Sequence, residues 1–256
     1  MNKTLLILLP FLILCGFMAP EKGPKNDLQN DNLKGAVKTL TESAYKATYG
    51  DSGKAGKGNF EHKYVSSYDK SGFLKGSIGY NADKTISDKT TCTFDKKGNK
   101  TEMVANYADG SLKGKTTYTY DNKGYMVESK EYDGDNKLTD RYTFKYDKKG
   151  NQEEMKDYNN KDSLTLSYKY TWDDKGNNTK IEGYNGIKEL ISTITTVYDD
   201  NGNYVNWKGD YKGVKSDDFA YSYKYIYDKT GNWTQRLKFQ NGYEIEIVDR
   251  VVEYYE

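Results

Sequence analysis

Arg141-Tyr142-Thr143-Phe144-Lys145-Tyr146-Asp147-Lys148-Lys149-Gly150-Asn151 decides the fold. Tyr142, Phe144 and Tyr146 alternate with Arg141, Thr143 and Lys145, the period of two of a strand with one dry face. Asp147 then opens a turn. Its carboxylate can accept from backbone NH groups just downstream, and Gly150 supplies the positive φ of a type I turn with a following bulge.

The unit recurs. Tyr68-Asp69, Phe94-Asp95, Tyr120-Asp121, Tyr146-Asp147, Trp172-Asp173, Tyr198-Asp199 and Tyr227-Asp228 are each followed by Gly three residues after the Asp. The Asp residues step by 26 five times and then by 29, so the chain is an internal repeat. Asn follows the Gly at Asn99, Asn151, Asn177, Asn203 and Asn232. After each turn a second strand runs to another aromatic: Tyr80, Tyr107, Tyr132, Tyr158, Tyr184, Tyr211 and Phe239. Polar links such as Asn159-Asn160-Lys161-Asp162 join the units, and Asn241-Gly242 reads as a two-residue hairpin turn into a last strand.

Two segments read less directly. Leu33, Ala36, Val37, Leu40 and Ala44 would form a helical stripe, whereas Val37, Thr39, Thr41, Ser43 and Tyr45 alternate. An opening strand is preferred, because it gives the first repeat strand a partner. Residues 47–59, rich in Gly and Lys, read as a mobile loop.

About 16 strands of roughly eight residues would make a flat sheet about 75 Å wide and 26 Å high. Sheets of that width coil or close. The expected fold is therefore all-β: a repetitive antiparallel hairpin meander coiled into a half-pipe or open barrel-like spiral, aromatic face inward. Residues 33–256 form one domain stabilised by neighbouring units. With 26 tyrosines and only 35% hydrophobic residues, the core must be built from rings whose hydroxyls find partners.

The N-terminus reads as an export signal. Met1-Asn2-Lys3 is a short positive start, and the apolar run from Leu5 to Leu14 is too short to span a bilayer. Leu12-Ile13-Leu14-Cys15-Gly16 resembles a bacterial lipobox, with Leu14 where a small residue is usual. Residues 1–15 are thus read as a signal peptide of lipoprotein type, Cys15 as its lipidation site, and 16–32 as a flexible tether. An exported, cell-envelope location follows, lipid-anchored or else periplasmic or secreted.

Cys15 and Cys92 are the two cysteines, which excludes a disulfide scaffold and a Cys-rich zinc site. Lys plus Arg number 39 against 38 Asp plus Glu, interspersed along the chain, so no nucleic-acid partner is expected.

Tyr-Asp-x-x-Gly-Asn, with Tyr-x-Tyr-Asp ahead of it at Tyr118–Asp121 and Tyr225–Asp228, resembles the YD repeat of the RHS family over about residues 60–240. The resemblance implies a coiled β-shell, a role in carbohydrate binding or a place beside toxin or secretion systems. This chain departs from the pattern in its longer repeat and in Asn after Gly.

No catalytic constellation stands out. His62 is the single histidine and sits at a lattice position held by Asp88, Gly114 and Asp140 in later copies. Cys92 occupies the place of Tyr118 and reads as a small core residue. Asp199-Asp200-Asn201-Gly202-Asn203 is calcium-like, but lacks the Glu-ended loop of an EF-hand. Since all seven copies share the Asp, turn capping explains it, and neither metal nor cofactor is expected. The expected function is a non-enzymatic binding module for a glycan or protein ligand, with Trp172, Trp207 and Trp233 as candidate ligand-binding residues. A structural spacer or shell-like component of an RHS or toxin system is the alternative. A glycan-active enzyme is a lesser one.

Overall fold

A computed structural model describes residues 26–50, 53, 55–214 and 219–256. The leader with Cys15, and the tether up to residue 25, lie outside the described residues. The strands are β1 (Val37–Tyr49), β2 (Ala55–Tyr68), β3 (Leu74–Tyr80), β4 (Ile86–Phe94), β5 (Lys100–Tyr107), β6 (Leu112–Tyr120), β7 (Met126–Asp133) and β8 (Leu138–Tyr146). They continue as β9 (Gln152–Asn159), β10 (Leu164–Trp172), β11 (Asn178–Asn185), β12 (Leu190–Tyr198), β13 (Tyr204–Tyr211), β14 (Ala220–Tyr227), β15 (Trp233–Gln240) and β16 (Tyr243–Tyr254).

The meander does not stay open. β16 pairs back onto β1, from Thr39 opposite Glu253 to Lys46 opposite Glu246, and closes a barrel. This corrects the half-pipe. The first and last strands, 13 and 12 residues long, match each other in length, and closure leaves no unpaired edge. Residues 47–59 are corrected too: Ala47, Thr48 and Tyr49 pair with Lys57, Gly56 and Ala55. Gly58 permits that approach, since a Cβ there would stand 2.3 Å from Thr48 Cγ2. The helical-looking spacing of Val37 and Leu40 comes from a bulge between Val37 and Thr39 that turns both to the core.

Each aromatic-Asp turn has one geometry. At the fourth, Asp147 Oδ1 accepts from the Lys149 and Asn151 NH groups, and Asn151 Nδ2 donates to Asp147 Oδ2 at 3.0 Å. The amides of Asn99, Asn151 and Asn177 thus close the turn on their own Asp, whereas Asn203 Nδ2 donates to Tyr227 OH and Asn232 Nδ2 to Lys34 O and Tyr254 OH. The links at the other end of the barrel repeat the same backbone bonds: Asn159 NH to Ser163 O and Asp162 NH to Asn159 O, as in Asp147 NH to Asn151 O and Gly150 NH to Asp147 O. Four of them do so without glycine, while Gly110 takes that place in the link from β5 to β6. Lys84, Asn136, Asp162 and Lys188 hold the positive φ in those four.

Repeats are joined through ring tips. Tyr146 OH donates to Met126 O at 3.0 Å, and Trp172 Nε1 to Gln152 O at 2.8 Å, one repeat later. This explains why polar-tipped aromatics dominate the position before Asp.

From Asn26 onward the segment read as the tether's end carries secondary structure. Asn26 and Gln29 form a capping box on α1 (Asp27–Asn30), and Leu28 and Leu33 pack on Val37, Leu40 and Tyr68. Asp27 pairs with Lys100 at the start of β5, while Asn32 Nδ2 bonds Asn203 just before β13. Along the wall, β5 and β13 are eight spacings apart. That is about 38 Å, whereas the six residues 27–32 reach at most about 20 Å. Residues 26–34 therefore strap across the mouth, and the face they pack on, the aromatic one, is the inner wall. Sixteen strands leave room for a lumen.

The other face looks outward and is charged. Glu128 pairs with Lys130 and Arg141, Glu154 with Lys145 and Lys156, and Glu182 with Lys180. Cations cover the aromatics of the second strands: Lys63 on Tyr80, Lys115 on Tyr132, Arg141 on Tyr158, Lys169 on Tyr184 and Lys224 on Phe239. Tyr107 and Tyr211 do not belong to this series. They open turns on the inner face, opposite Asp88 and Ser192, one residue beyond the expected register.

Candidate functional site

One inner-wall column changes character around the barrel. It is Gly79 opposite Tyr64, Ala105 opposite Thr90, Glu131 opposite Thr116, Asp157 opposite Tyr142, Gly183 opposite Tyr168, Gly209 opposite Ile194 and Lys238 opposite Tyr223. Where it is small, rings fill the space: a Cβ on Gly183 would meet the Tyr168 ring at 3.2 Å. Where it is acidic, carboxylates gather. Glu131 on β7 lies directly opposite Asp140 on β8, and Asp157 on β9 is next along.

The three carboxylates repel one another. Burial, then Asp140 and Asp157, pushes the Glu131 carboxyl above the usual range. Burial and Asp140 do the same to Asp157. Asp157 Oδ1 is buried without a hydrogen-bond partner. The Tyr142 hydroxyl between them is driven upward by burial and by all three acids. Like charges in direct cross-strand register destabilise a sheet, so this grouping costs the fold and marks a candidate site.

The opposite wall carries two half-buried cations around one carboxylate, Glu246. Lys238, in the same column on β15, is eight strands from β7, half the circumference. Its ammonium lies 4.2 Å from the Tyr221 ring, and burial lowers its pKa. Beside it Arg236 donates to Tyr204 OH at 3.1 Å and pairs with Glu246. The lumen thus has an acidic wall and, facing it, a wall where Lys238 and Arg236 gather around Glu246, both set among tyrosines. Ionised carboxylates accept strongly from hydroxyls and ammonium groups, and ring faces pack on apolar CH surfaces.

The three tryptophans lie on the inner face but not together. Trp172 ends β10 and donates to Gln152 O. Trp207, on β13, packs with Ile194 and Tyr221. Trp233, on β15, is 6% exposed and covered by the Arg250 guanidinium. Trp207 alone borders the apolar patch of Tyr142, Met155 and Tyr168 beside the acidic wall. Cys92 is half-buried, opposite Met103, and burial pushes its thiol up. His62 is exposed, edge-on to Tyr64 at 5.4 Å. Asp199, the calcium-like residue, has protein donors: Asn201 NH, Asn203 NH and Tyr227 OH.

Sequence reasoning missed Glu131, Asp140 and Asp157. It sought a break in the period. The break is instead in side-chain type at one constant lattice position, visible once positions 79, 105, 131, 157, 183 and 209 are aligned at their 26-residue step.

No family model matches the chain, and no curated protein matches it. Among solved structures, a porin-like protein from Bacteroides uniformis aligns with a TM-score of 0.55 at 16% identity, covering 85% of this chain and 96% of that one. At this identity the likeness speaks for the barrel fold alone. A chain of the Photorhabdus luminescens Tc holotoxin pore aligns at a TM-score of 0.28 and 14% identity, over 82% of this chain and 12% of its own length. A TcdB2-TccC3 chain gives 0.28 and 14%, over 79% and 13%. These two similarities are too low to carry an argument.

Proposed function

We propose that the protein is a non-enzymatic, exported binding barrel of the cell envelope whose lumen holds a glycan. The observation that carries this reading is the Glu131–Asp140–Asp157 group, set among Tyr142 and Tyr168 on the inner wall. Sugar hydroxyls would donate to the carboxylates, and ring CH faces would lie on the tyrosines. Attachment to the membrane would run through a lipid on Cys15. The ion pairs around Glu128 and Glu154 on the outer wall do not suit the apolar band of a membrane-spanning barrel.

A glycan array probed with the wild type and with Glu131→Gln/Asp157→Asn tests the lumen. Hits that vanish in the double variant support the reading. Hits that persist, or an array without hits, end it and favour the spacer or RHS-associated role, which predicts toxin or secretion genes as neighbours. Mass spectrometry of the exported protein tests the anchor: a mature N-terminus other than a lipidated Cys15 removes it.

One observation favours a second reading. Glycosidases work with a pair of carboxyls of different pKa, and Glu131 and Asp140 are a cross-strand carboxyl pair with Glu131 raised as a general acid would be. Hydrolysis of array-positive glycans by the wild type and not by Glu131→Gln supports it; unchanged glycans end it.

A further inference from the structure

We propose a separate saccharide subsite, away from the acidic wall, in the cleft between the fourth and fifth aromatic-Asp hairpins. The cleft holds about 500 Å³ and is lined by Asn151, Glu153, Tyr170, Thr171 and Trp172, with Lys149 at its edge. That volume lies within the range of small-ligand sites.

Asn151 points to a ligand. Its NH and Nδ2 are spent on Asp147, and the residue is 4% exposed, yet its Oδ1 has no partner. The same amide oxygen is satisfied elsewhere in the lattice by groups from outside its own hairpin. Asn203 Oδ1 accepts from Asn32 Nδ2 at 3.2 Å, and Asn232 Oδ1 from the Lys34 NH at 2.8 Å. Both donors belong to the strap, which bonds the turns of the first, sixth and seventh hairpins. At the fourth hairpin the strap does not supply the donor, and a buried acceptor without one costs about 1–3 kcal/mol.

Trp172 supplies the second part. The residue before Asp is Tyr or Phe in the other six copies. The bond from Trp172 Nε1 to Gln152 O repeats the one Tyr146 makes to Met126 O, so hydrogen bonding alone does not call for an indole. The indole adds ring area at the cleft. An occupant must donate a hydroxyl to Asn151 Oδ1 and lay an apolar face on an aromatic ring, with Thr171 and Glu153 beside it. A pyranose ring has both features. The site does not depend on the lumenal reading.

The test uses ¹⁵N-labelled full-length protein, which has three indole signals, assigned by single Trp→Phe variants. Glucose, galactose and N-acetylglucosamine are titrated separately to millimolar concentration. A saturable shift of the Trp172 signal is expected for at least one. Asn151→Ala should weaken it about tenfold, the size of one hydrogen bond. Asn177→Ala breaks the equivalent turn contact in the next hairpin and should leave it intact; unmoved Trp207 and Trp233 signals report that each variant is folded. Trp172→Tyr keeps the bond to Gln152 and is read through the backbone amide signals of Thr171 and Asp173, which should lose the saturable shift they show in the wild type; this covers the case of an unfolded Asn151→Ala. No saturable Trp172 shift with any of the sugars, a shift confined to Trp207, or equal affinity in Asn151→Ala or Trp172→Tyr overturns the proposal.

Discussion

Glu131 and Asp140 face each other directly across β7 and β8, two carboxylates in one cross-strand pair on the inner wall. Removing one charge should stabilise the fold. Glu131→Gln is expected to gain about 0.2–1 kcal/mol at neutral pH, read as a higher melting temperature. The sign with pH follows from the raised folded-state value. The penalty of ionised Glu131 is full above that value and disappears as the folded form takes up its proton. The advantage of Glu131→Gln should therefore shrink on acidification through the carboxylate range. An advantage independent of pH would count against repulsion as its cause.

Asp147 should behave in the opposite sense. Hydrogen bonds from Asn151 and from turn NH groups outweigh burial and hold its carboxyl below the usual range. Its stabilisation is present above the unfolded-state value and lost as pH falls through the folded one. Asp147→Ala should cost about 1–3 kcal/mol at neutral pH, measured by urea unfolding, and much less in strong acid.

Gly72 and Gly110 separate turn strain from strap contact. Both have positive φ, but a Cβ on Gly72 would stand 2.5 Å from Asn26 Nδ2 and 3.1 Å from Leu28, whereas Gly110 has open space. Gly110→Ala should cost about 1 kcal/mol of backbone strain. Gly72→Ala should cost more and expose residues 26–34 to limited proteolysis. Equal protection of that segment in both variants would contradict the strap's seating.

Lys188 lies at φ 65° in a turn built like those that carry Gly. Lys188→Gly should stabilise by about 1 kcal/mol, read by thermal unfolding. A loss would mean that the side chain has a role beyond the turn.

The outer cations show how far the sequence could be read. Lys115 and Arg141 lie opposite the rings they cover, Tyr132 and Tyr158. Ser167 and Ser222 stand opposite Tyr184 and Phe239, and there Lys169 and Lys224, two residues on, cover the ring diagonally. Strands, turns and faces are local patterns, and Tyr142–Asp147 displays them all. The α1 segment was not legible, because four residues carry no period and only Asn26 and Gln29 hint at a capping box. Closure was not legible either, since it depends on pairing between Leu40 and Val252 at opposite ends of the chain. The acidic group needed the register before its three members could be seen as neighbours.

The β1–β16 seam also sets an order of events. All other strand pairs join strands consecutive in the chain, and their closure entropy is small. The seam must gather the whole chain and is rewarded last. Assembly should therefore run as fast local zipping followed by one slow ring-closing step. A chain truncated before Tyr243 would stall as an open spiral with its tyrosine wall exposed, prone to self-association.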